Sequence, residues 1–143
     1  MIPALIDCDW LIEAAWVIPI QPAGVVLEQH AVVINKDRIV AILPVTQANA
    51  LYAPKQRIQR PNAVLMPGLV NAHCHNPMSL MRGVADDLAL MPWLNKHIWP
   101  IERAVMAPDF VEAGIELAVS EMIRGGTTCC NENYFSVRSV FCL

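Results

Sequence analysis

The chain has 143 residues, of which 55% are hydrophobic and 16% are charged, and its formal net charge is −3. This length is enough for roughly one domain of average size, and the high apolar fraction indicates a buried core and excludes a disordered, low-complexity protein. The mild acidity, without any run of Lys or Arg, excludes an electrostatic surface for nucleic acid or for an anionic membrane.

The N-terminal region carries no signal for export or membrane insertion. Asp9, Glu13 and two prolines interrupt its apolar run, which falls short of the roughly 18 residues that a spanning helix needs. Asp7 and Asp9 replace the basic residues that open a secretory signal. Five cysteines, an odd count at irregular spacings, favour reduced thiols that pack as small apolar side chains. We therefore expect a cytoplasmic protein with no membrane partner.

The first part of the chain predicts short β-strands. An apolar run covers residues 5–20, and the turn residues 35–38 separate two β-branched segments, as in a hairpin. A short helix starts at Thr46. We assign residues 1–62 to a small β domain.

The pattern changes to that of an α/β protein after Asn62. Residues 63–70 form a nearly continuous apolar run, which is typical of a strand buried on both faces. An amphipathic helix is predicted over residues 108–124, ended by two glycines, and a second strand over residues 127–131. This order is that of a βα repeat. A closed barrel of eight such units needs about 250 residues, so we expect residues 63–143 to be the incomplete start of one.

Two shorter helical segments are predicted between those strands. Residues 77–82 form the first, ended by Gly83, and residues 88–97 the second. Asp87 precedes the second segment, and we interpret it as the N-cap of that helix, in preference to an acid catalyst.

His73 and His75 are the most specific chemical feature. Residues i and i+2 of a strand point to the same face about 6.6 Å apart at Cα, so both imidazoles can reach one ion at about 2.0–2.1 Å per Zn–N bond. Cys74 would then point to the other face and pack. The pair follows an apolar strand, where barrel enzymes place their active sites. On the residues alone, two hydrogen-bonded histidines without a metal are an equally good interpretation.

The other polar and aromatic residues of this region have ordinary structural interpretations. Trp93 is interpreted as a core aromatic under a long loop. For Glu102, next to Arg103, a solvated, salt-bridging face and a role in substrate binding are equally good interpretations. His97 follows Lys96 and is interpreted as a surface or supporting residue, not as a metal ligand.

The stretch from Pro67 to Glu102, PGLVNAHCHNPMSLMRGVADDLALMPWLNKHIWPIE, resembles the first strand and following loop of the amidohydrolase superfamily. Within it, the chain is most similar to the branch of 5-methylthioadenosine/S-adenosylhomocysteine deaminases and triazine chlorohydrolases. The resemblance continues through EMIRGGTT and NENYF to Phe135. Residues 136–143 depart from the family pattern, and we expect a truncation or a shifted reading frame there.

The resemblance implies a role for four residues. His73 and His75 match the first two ligands of a single divalent metal per complete subunit, Zn²⁺ or Fe²⁺. Trp93 matches an aromatic wall beside a bound nucleoside, and Glu102 matches a carboxylate that accepts hydrogen bonds from ribose hydroxyls. A metal lowers the pKa of a bound water to about 7, which favours attack on an electron-poor carbon such as C6 of adenine.

The resemblance also implies the fold and what is missing from the chain. The fold is α/β, with a portion of a composite β-sandwich followed by the first βα units of a metal-dependent (β/α)₈ barrel, truncated. In the family, two further histidines, an aspartate and a proton-shuttling glutamate come from later strands, so no residue here is assigned a catalytic role.

Three hypotheses for function follow. The first is a deaminase that hydrolyses the 6-amino group of purine nucleosides of the 5-methylthioadenosine and S-adenosylhomocysteine type. The second keeps the fold and changes the ring or leaving group, as in a triazine chlorohydrolase or a guanine- or cytosine-type deaminase. The third is a non-catalytic fragment, which we favour for the chain by itself. The expected partner is a small nucleoside or heterocyclic amine and no nucleic acid, with a homo-oligomer as a further expectation for the full-length protein.

Overall fold

The structure is a computed structural model that describes residues 4–134 and 140–142. It divides into two compact units, Met1–Pro67 and Gly68–Leu143. Residues 63–67 therefore group with the first unit, whereas the predicted boundary lay between residues 62 and 63. Seven strands and four α-helices are described, in the order β1 (Ile6–Val17), β2 (Leu27–Asn35), β3 (Arg38–Pro44), α1 (Val45–Leu51), β4 (Tyr52–Leu65), β5 (Leu69–Cys74), α2 (Leu90–Trp93), α3 (Trp99–Val105), α4 (Pro108–Arg124), β6 (Thr127–Glu132) and β7 (Val140–Cys142).

The first unit is a four-stranded sheet in the order β3-β2-β1-β4. β2 pairs antiparallel with both β1 and β3, whereas β4 pairs parallel with β1. The predicted hairpin is confirmed, because β2 and β3 are joined at a turn in which Lys36 has a φ of 55°. The helix predicted near Thr46 is α1, which supplies the connection that the parallel β1–β4 pair needs.

Alternation along the strands gives this unit its core. Leu11 and Val33 are fully buried, and they belong to one apolar cluster with Cys8 and with Ala48 of α1. Val32 points to the opposite face, as its neighbour in a pleated strand must, and belongs to a second apolar cluster. Cys8 is thus a packing residue, and its burial raises the pKa of its thiol.

The second unit is a three-stranded sheet in the order β5-β6-β7. β5 and β6 are parallel and are connected by helices, which is the predicted βα order, and β7 is antiparallel to β6. The chain leaves β5 through a 3₁₀ helix, Asn76–Met81. Among the described residues, no helix combines the length and apolar character needed to cross a bilayer. The departure predicted for residues 136–143 lies outside the described residues, except for β7.

Helix α4 agrees with its prediction at both ends. It begins at Pro108, whose missing N–H costs nothing in the first turn, and ends at Arg124. Gly125 caps it, and Gly126 follows with a φ of 83°, a conformation that glycine adopts without strain. The helix lies against the 3₁₀ helix that follows β5, and the backbone of Pro77 occupies the space that a Cβ of Gly114 would need.

The prediction of one buried strand over residues 63–70 is wrong. β4 ends at Leu65 and β5 begins at Leu69, because Pro67 cannot donate a hydrogen bond to a strand ladder. Leu69 and Val70 are 50% and 68% exposed, so the described residues do not cover both faces of β5.

The prediction of Asp87 as an N-cap is also wrong. Asp87 has a φ of 64°, whereas an N-cap residue is extended, and the helical segment begins at Leu90 after an extended Ala89. The helix α2 continues through a π-helical turn, Leu94–Ile98, into α3. The wider turn ends two residues before Pro100, which has no N–H to donate to the preceding turn.

Candidate metal and substrate site

His73 and His75 meet at the end of β5. Their Nε2 atoms are 3.1 Å apart, and their ring centroids are separated by 5.1 Å with 30° between the planes. Two nitrogens at this separation, each about 2.05 Å from one ion, would subtend about 100° at it, which is close to the tetrahedral angle. The separation of the two nitrogens is therefore that of two ligands of one cation. The same 3.1 Å also fits an N–H···N hydrogen bond, with one Nε2 protonated.

The described residues bring no third candidate metal ligand to the two histidines. No cluster of three or more His, Cys, Asp or Glu side chains is found among residues 4–134. Cys74, which lies between the histidines, donates its Sγ–H to the carbonyl of Asn131 at 3.2 Å. Burial, together with the charge of Glu132, raises the pKa of the Cys74 thiol to about 12, so it stays protonated. This geometry favours the interpretation of Cys74 as a packing residue.

A buried carboxylate accepts hydrogen bonds from the main chain that follows β5 and from the main chain that follows β6. Glu132, at the end of β6, is 2% exposed. Its Oε2 accepts the backbone N–H of Asn76 at 2.9 Å, and its Oε1 accepts the backbone N–H of Tyr134 at 2.9 Å. The peptide that follows His75 is therefore held to β6. Sequence reasoning did not single out Glu132; the one local signal was a carboxylate directly after the uncharged predicted strand, residues 127–131.

Tyr134 connects the histidine pair to Glu102. Its hydroxyl donates a 2.7 Å hydrogen bond to Oε1 of Glu102, and its ring lies edge-on to His75 with centroids 5.8 Å apart. Tyr134 is 6% exposed, and burial together with the bond to Glu102 raises the pKa of its hydroxyl, which stays a donor. Sequence reasoning missed this residue, because the contact joins positions 32 residues apart.

Glu102 and Trp93 differ in how they relate to the histidines. Glu102 is half-buried on α3, and its partner is Tyr134, not the adjacent Arg103, whose Nε–H donates to the carbonyl of Trp99 at 3.2 Å. The indole N–H of Trp93 donates to the carbonyl of Val84 at 3.0 Å. Within the described part of the chain, no hydrogen bond or ring contact joins Trp93 to the histidines or to Glu102.

Two open clefts border these residues. One, of about 420 Å³, is lined by His75 and by the ion pair of Arg82 with Glu121. The other, of about 340 Å³, is lined by Glu102 and Trp99. His75 and Glu102 thus face different clefts, although Tyr134 connects them.

Curated relatives resemble almost the whole of this chain. It is 43% identical over 127 residues to a 5-methylthioadenosine/S-adenosylhomocysteine deaminase of Saccharophagus degradans, which covers 89% of this chain and 28% of that protein. Identity to a protein of the same name from Nitratidesulfovibrio vulgaris is 44% over 127 residues, covering 89% of this chain and 29% of the relative. The chain therefore spans less than a third of the length of these relatives.

Solved structures share the fold. An adenosine deaminase of Xanthomonas campestris with bound zinc is 59% identical, with a TM-score of 0.90 over 93% of this chain and 30% of that one. An atrazine chlorohydrolase of Arthrobacter aurescens in complex with zinc has a TM-score of 0.73 over 83% of this chain and 27% of its own, and at 21% identity it shows a shared fold alone.

A family model confirms the resemblance found in the sequence. It describes the amidohydrolase family, and it matches residues 64–141, more than half of the chain. This match includes both histidines, Glu132 and Tyr134. The chain belongs to the amidohydrolase family.

Proposed function

We propose that this chain supplies the first two metal ligands and the sugar-binding carboxylate of a hydrolase that deaminates adenosine-type nucleosides, with 5-methylthioadenosine and S-adenosylhomocysteine as the substrate class. The observation that carries the proposal is the 3.1 Å separation of the His73 and His75 Nε2 atoms at the end of β5. The names of the relatives at 43% and 44% identity, and of the zinc-containing neighbour at 59% identity, support it.

The donor set fits a divalent cation. Neutral imidazole suits zinc, and zinc is named with two of the solved neighbours, so we propose Zn²⁺ ahead of Fe²⁺. A cation held there supplies Lewis-acid activation of water for hydrolysis at an electron-poor ring carbon. His73 and His75 would hold it, and Glu132 keeps the peptide after His75 in place. Two imidazoles alone bind zinc weakly, so the proposal requires further ligands.

The proposed architecture places those ligands outside the described residues. In it, β5 and β6 are the first two strands of a (β/α)₈ barrel, and the sheet of the first unit is part of a composite β-sandwich. The parallel pairing of β5 with β6 through connecting helices supports the barrel. A cytoplasmic location is also part of the proposal, and the thiols of Cys8, Cys74 and Cys130, which form no disulfide in the described part of the chain, support it.

The substrate side of the proposal rests on Glu102 and Trp93. Tyr134 donates to Oε1 of Glu102, and within the described residues Oε2 accepts no hydrogen bond, so it is available to a sugar hydroxyl. The indole N–H of Trp93 donates to Val84, and in the proposal the ring of this half-buried residue stacks on the purine.

The test places this chain in the Xanthomonas campestris deaminase in place of the matching segment, because the chain spans 30% of that protein. We expect ammonia release from 5-methylthioadenosine and S-adenosylhomocysteine. His73→Asn or His75→Asn should each lower kcat/KM at least about a hundredfold. Glu116→Gln, at an exposed position of α4, is the control and should leave the rate unchanged.

Two results would contradict the proposal. A zinc-loaded hybrid that releases ammonia only from guanine or cytosine, or chloride from atrazine, would overturn the substrate class. Full activity after loss of either histidine would overturn the metal assignment.

A further inference from the structure

Tyr134 links a proposed metal ligand to the proposed sugar carboxylate. Its hydroxyl donates to Glu102 at 2.7 Å, and its ring edge lies against His75 at a centroid distance of 5.8 Å. The residue is also fixed through its main chain, because its N–H donates to Glu132 at 2.9 Å. The position of the hydroxyl is therefore set by contacts that do not involve a substrate.

Glu102 needs such a partner to present one oxygen in a defined direction. Its side chain has three rotatable bonds, it is only half-buried, and Tyr134 is its one hydrogen-bonding side chain among the described residues. A tyrosine fixed by packing constrains these rotamers, and it occupies Oε1 while leaving Oε2 to a ligand. A carboxylate held in this way can accept hydrogen bonds from a pair of neighbouring hydroxyl groups.

We infer that Tyr134 is a positioning residue, which orients Glu102 toward the cis-diol of a ribose and so contributes to selectivity for nucleosides that carry both hydroxyls. The inference rests on the function proposed above. Tyr134 touches neither substrate nor metal in this scheme; it acts through Glu102.

The first experiment compares substrates with and without the diol in the hybrid enzyme described above. Tyr134→Phe keeps the ring edge against His75 and removes the hydrogen bond. We expect KM for 5-methylthioadenosine to rise about tenfold, the size of effect of one hydrogen bond to a charged group, with little change in kcat, zinc content or KM for 2′,3′-dideoxyadenosine. Glu102→Gln should show the same selectivity, and the double variant should be no worse than Glu102→Gln alone.

A matched variant separates this effect from general loss of packing. Tyr52→Phe removes the hydroxyl of a partly buried tyrosine in the first unit and should leave both KM values unchanged. The inference is overturned if Tyr134→Phe raises KM equally for the two substrates, if its effect adds fully to that of Glu102→Gln, or if it alters neither KM.

A second experiment needs no activity and uses the 143-residue chain. In NMR spectra, the hydroxyl proton of Tyr134 should be protected from exchange, should show a cross-peak to the side chain of Glu102, and should shift in Glu102→Gln. Averaged Glu102 rotamers in the unsubstituted chain, or a Glu102 side chain equally ordered in Tyr134→Phe, would overturn the inference. An inactive hybrid would count against the proposed function. The NMR spectra would then test, independently of activity, whether Tyr134 positions Glu102.

Discussion

The backbone N–H of Asn76 donates to Oε2 of Glu132 at 2.9 Å, across 56 positions of sequence. Both residues are buried, with exposed fractions of 3% and 2%. The bond ties the peptide that follows His75 to the end of the neighbouring strand β6. The position of this histidine therefore depends on a carboxylate that belongs to a different strand.

Replacing that carboxylate should destabilise the second unit. Glu132→Ala leaves the N–H groups of Asn76 and Tyr134 without their acceptor, and we expect the free energy of unfolding to fall by about 2–3 kcal/mol. Urea unfolding followed by circular dichroism measures the change. Glu116→Gln, at an exposed site, is the control. Equal stability of Glu132→Ala and the unsubstituted chain would show that these buried N–H groups find other partners.

Adding a methyl group at Gly114 should also be destabilising. A Cβ there would lie 2.6 Å from Cα and 2.7 Å from the carbonyl oxygen of Pro77, and neither backbone atom can move aside easily. We expect Gly114→Ala to cost about 1–3 kcal/mol of unfolding free energy, although alanine favours helix by about 1 kcal/mol. Gly125→Ala, whose nearest contact would be 3.4 Å from the Glu121 carbonyl oxygen, should change stability little. A more stable Gly114→Ala variant would mean that α4 is free to shift.

The stability of the first unit should depend on pH through Asp9. The Lys55 ammonium at 2.7 Å and the backbone N–H of Lys36 at 2.6 Å hold the pKa of the Asp9 carboxyl below its ordinary value of 3.8. Because the folded-state pKa is the lower one, the stabilisation is present above pH 3.8 and is lost as the pH falls through the folded-state value.

Thermal unfolding between about pH 7 and pH 2 tests this dependence. The Tm difference between the unsubstituted chain and Asp9→Asn should shrink toward zero at the acid end. It should be smaller at high salt, because the Lys55 partner of this ion pair is exposed. Asp37→Asn removes a highly exposed partner of Arg38 and serves as the control. A Tm difference that grows on acidification would have the wrong sign for a lowered pKa.

Metal binding should require the two histidines and not the cysteine between them. His73→Ala or His75→Ala should weaken Co²⁺ binding to the 143-residue chain at least about tenfold, whereas Cys74→Ala should leave it nearly unchanged. Titration calorimetry and the cobalt absorption spectrum measure this. A thiolate-to-cobalt charge-transfer band in the unsubstituted chain would contradict the assignment of Cys74 to packing.

Structural features that depend on a few neighbouring residues were predicted correctly from the sequence. α4 runs from Pro108 to Arg124 as its apolar period, first-turn proline and terminal glycines indicate. The end of β5 falls beside the two histidines, where the apolar run gives way to polar residues. The N-cap prediction for Asp87 was wrong, because the position of a polar residue before an apolar segment does not determine the φ angle of that residue.

The amino-acid sequence by itself indicated the βα order after Asn62 and the two histidines as neighbours, because an apolar run, helix-ending glycines and an HxH spacing each lie within a few residues. It indicated the family through the resemblance that runs from Pro67 to Phe135. Only the tertiary structure decided that Tyr134 bonds Glu102 and that Glu132 holds the peptide after His75. These contacts join residues 32 and 56 positions apart, and their partners are chosen by how β6, α3 and the end of β5 pack together. No periodicity within a short segment predicts these hydrogen bonds. They form because polar groups that are distant in sequence are buried together and must satisfy one another's hydrogen-bonding capacity.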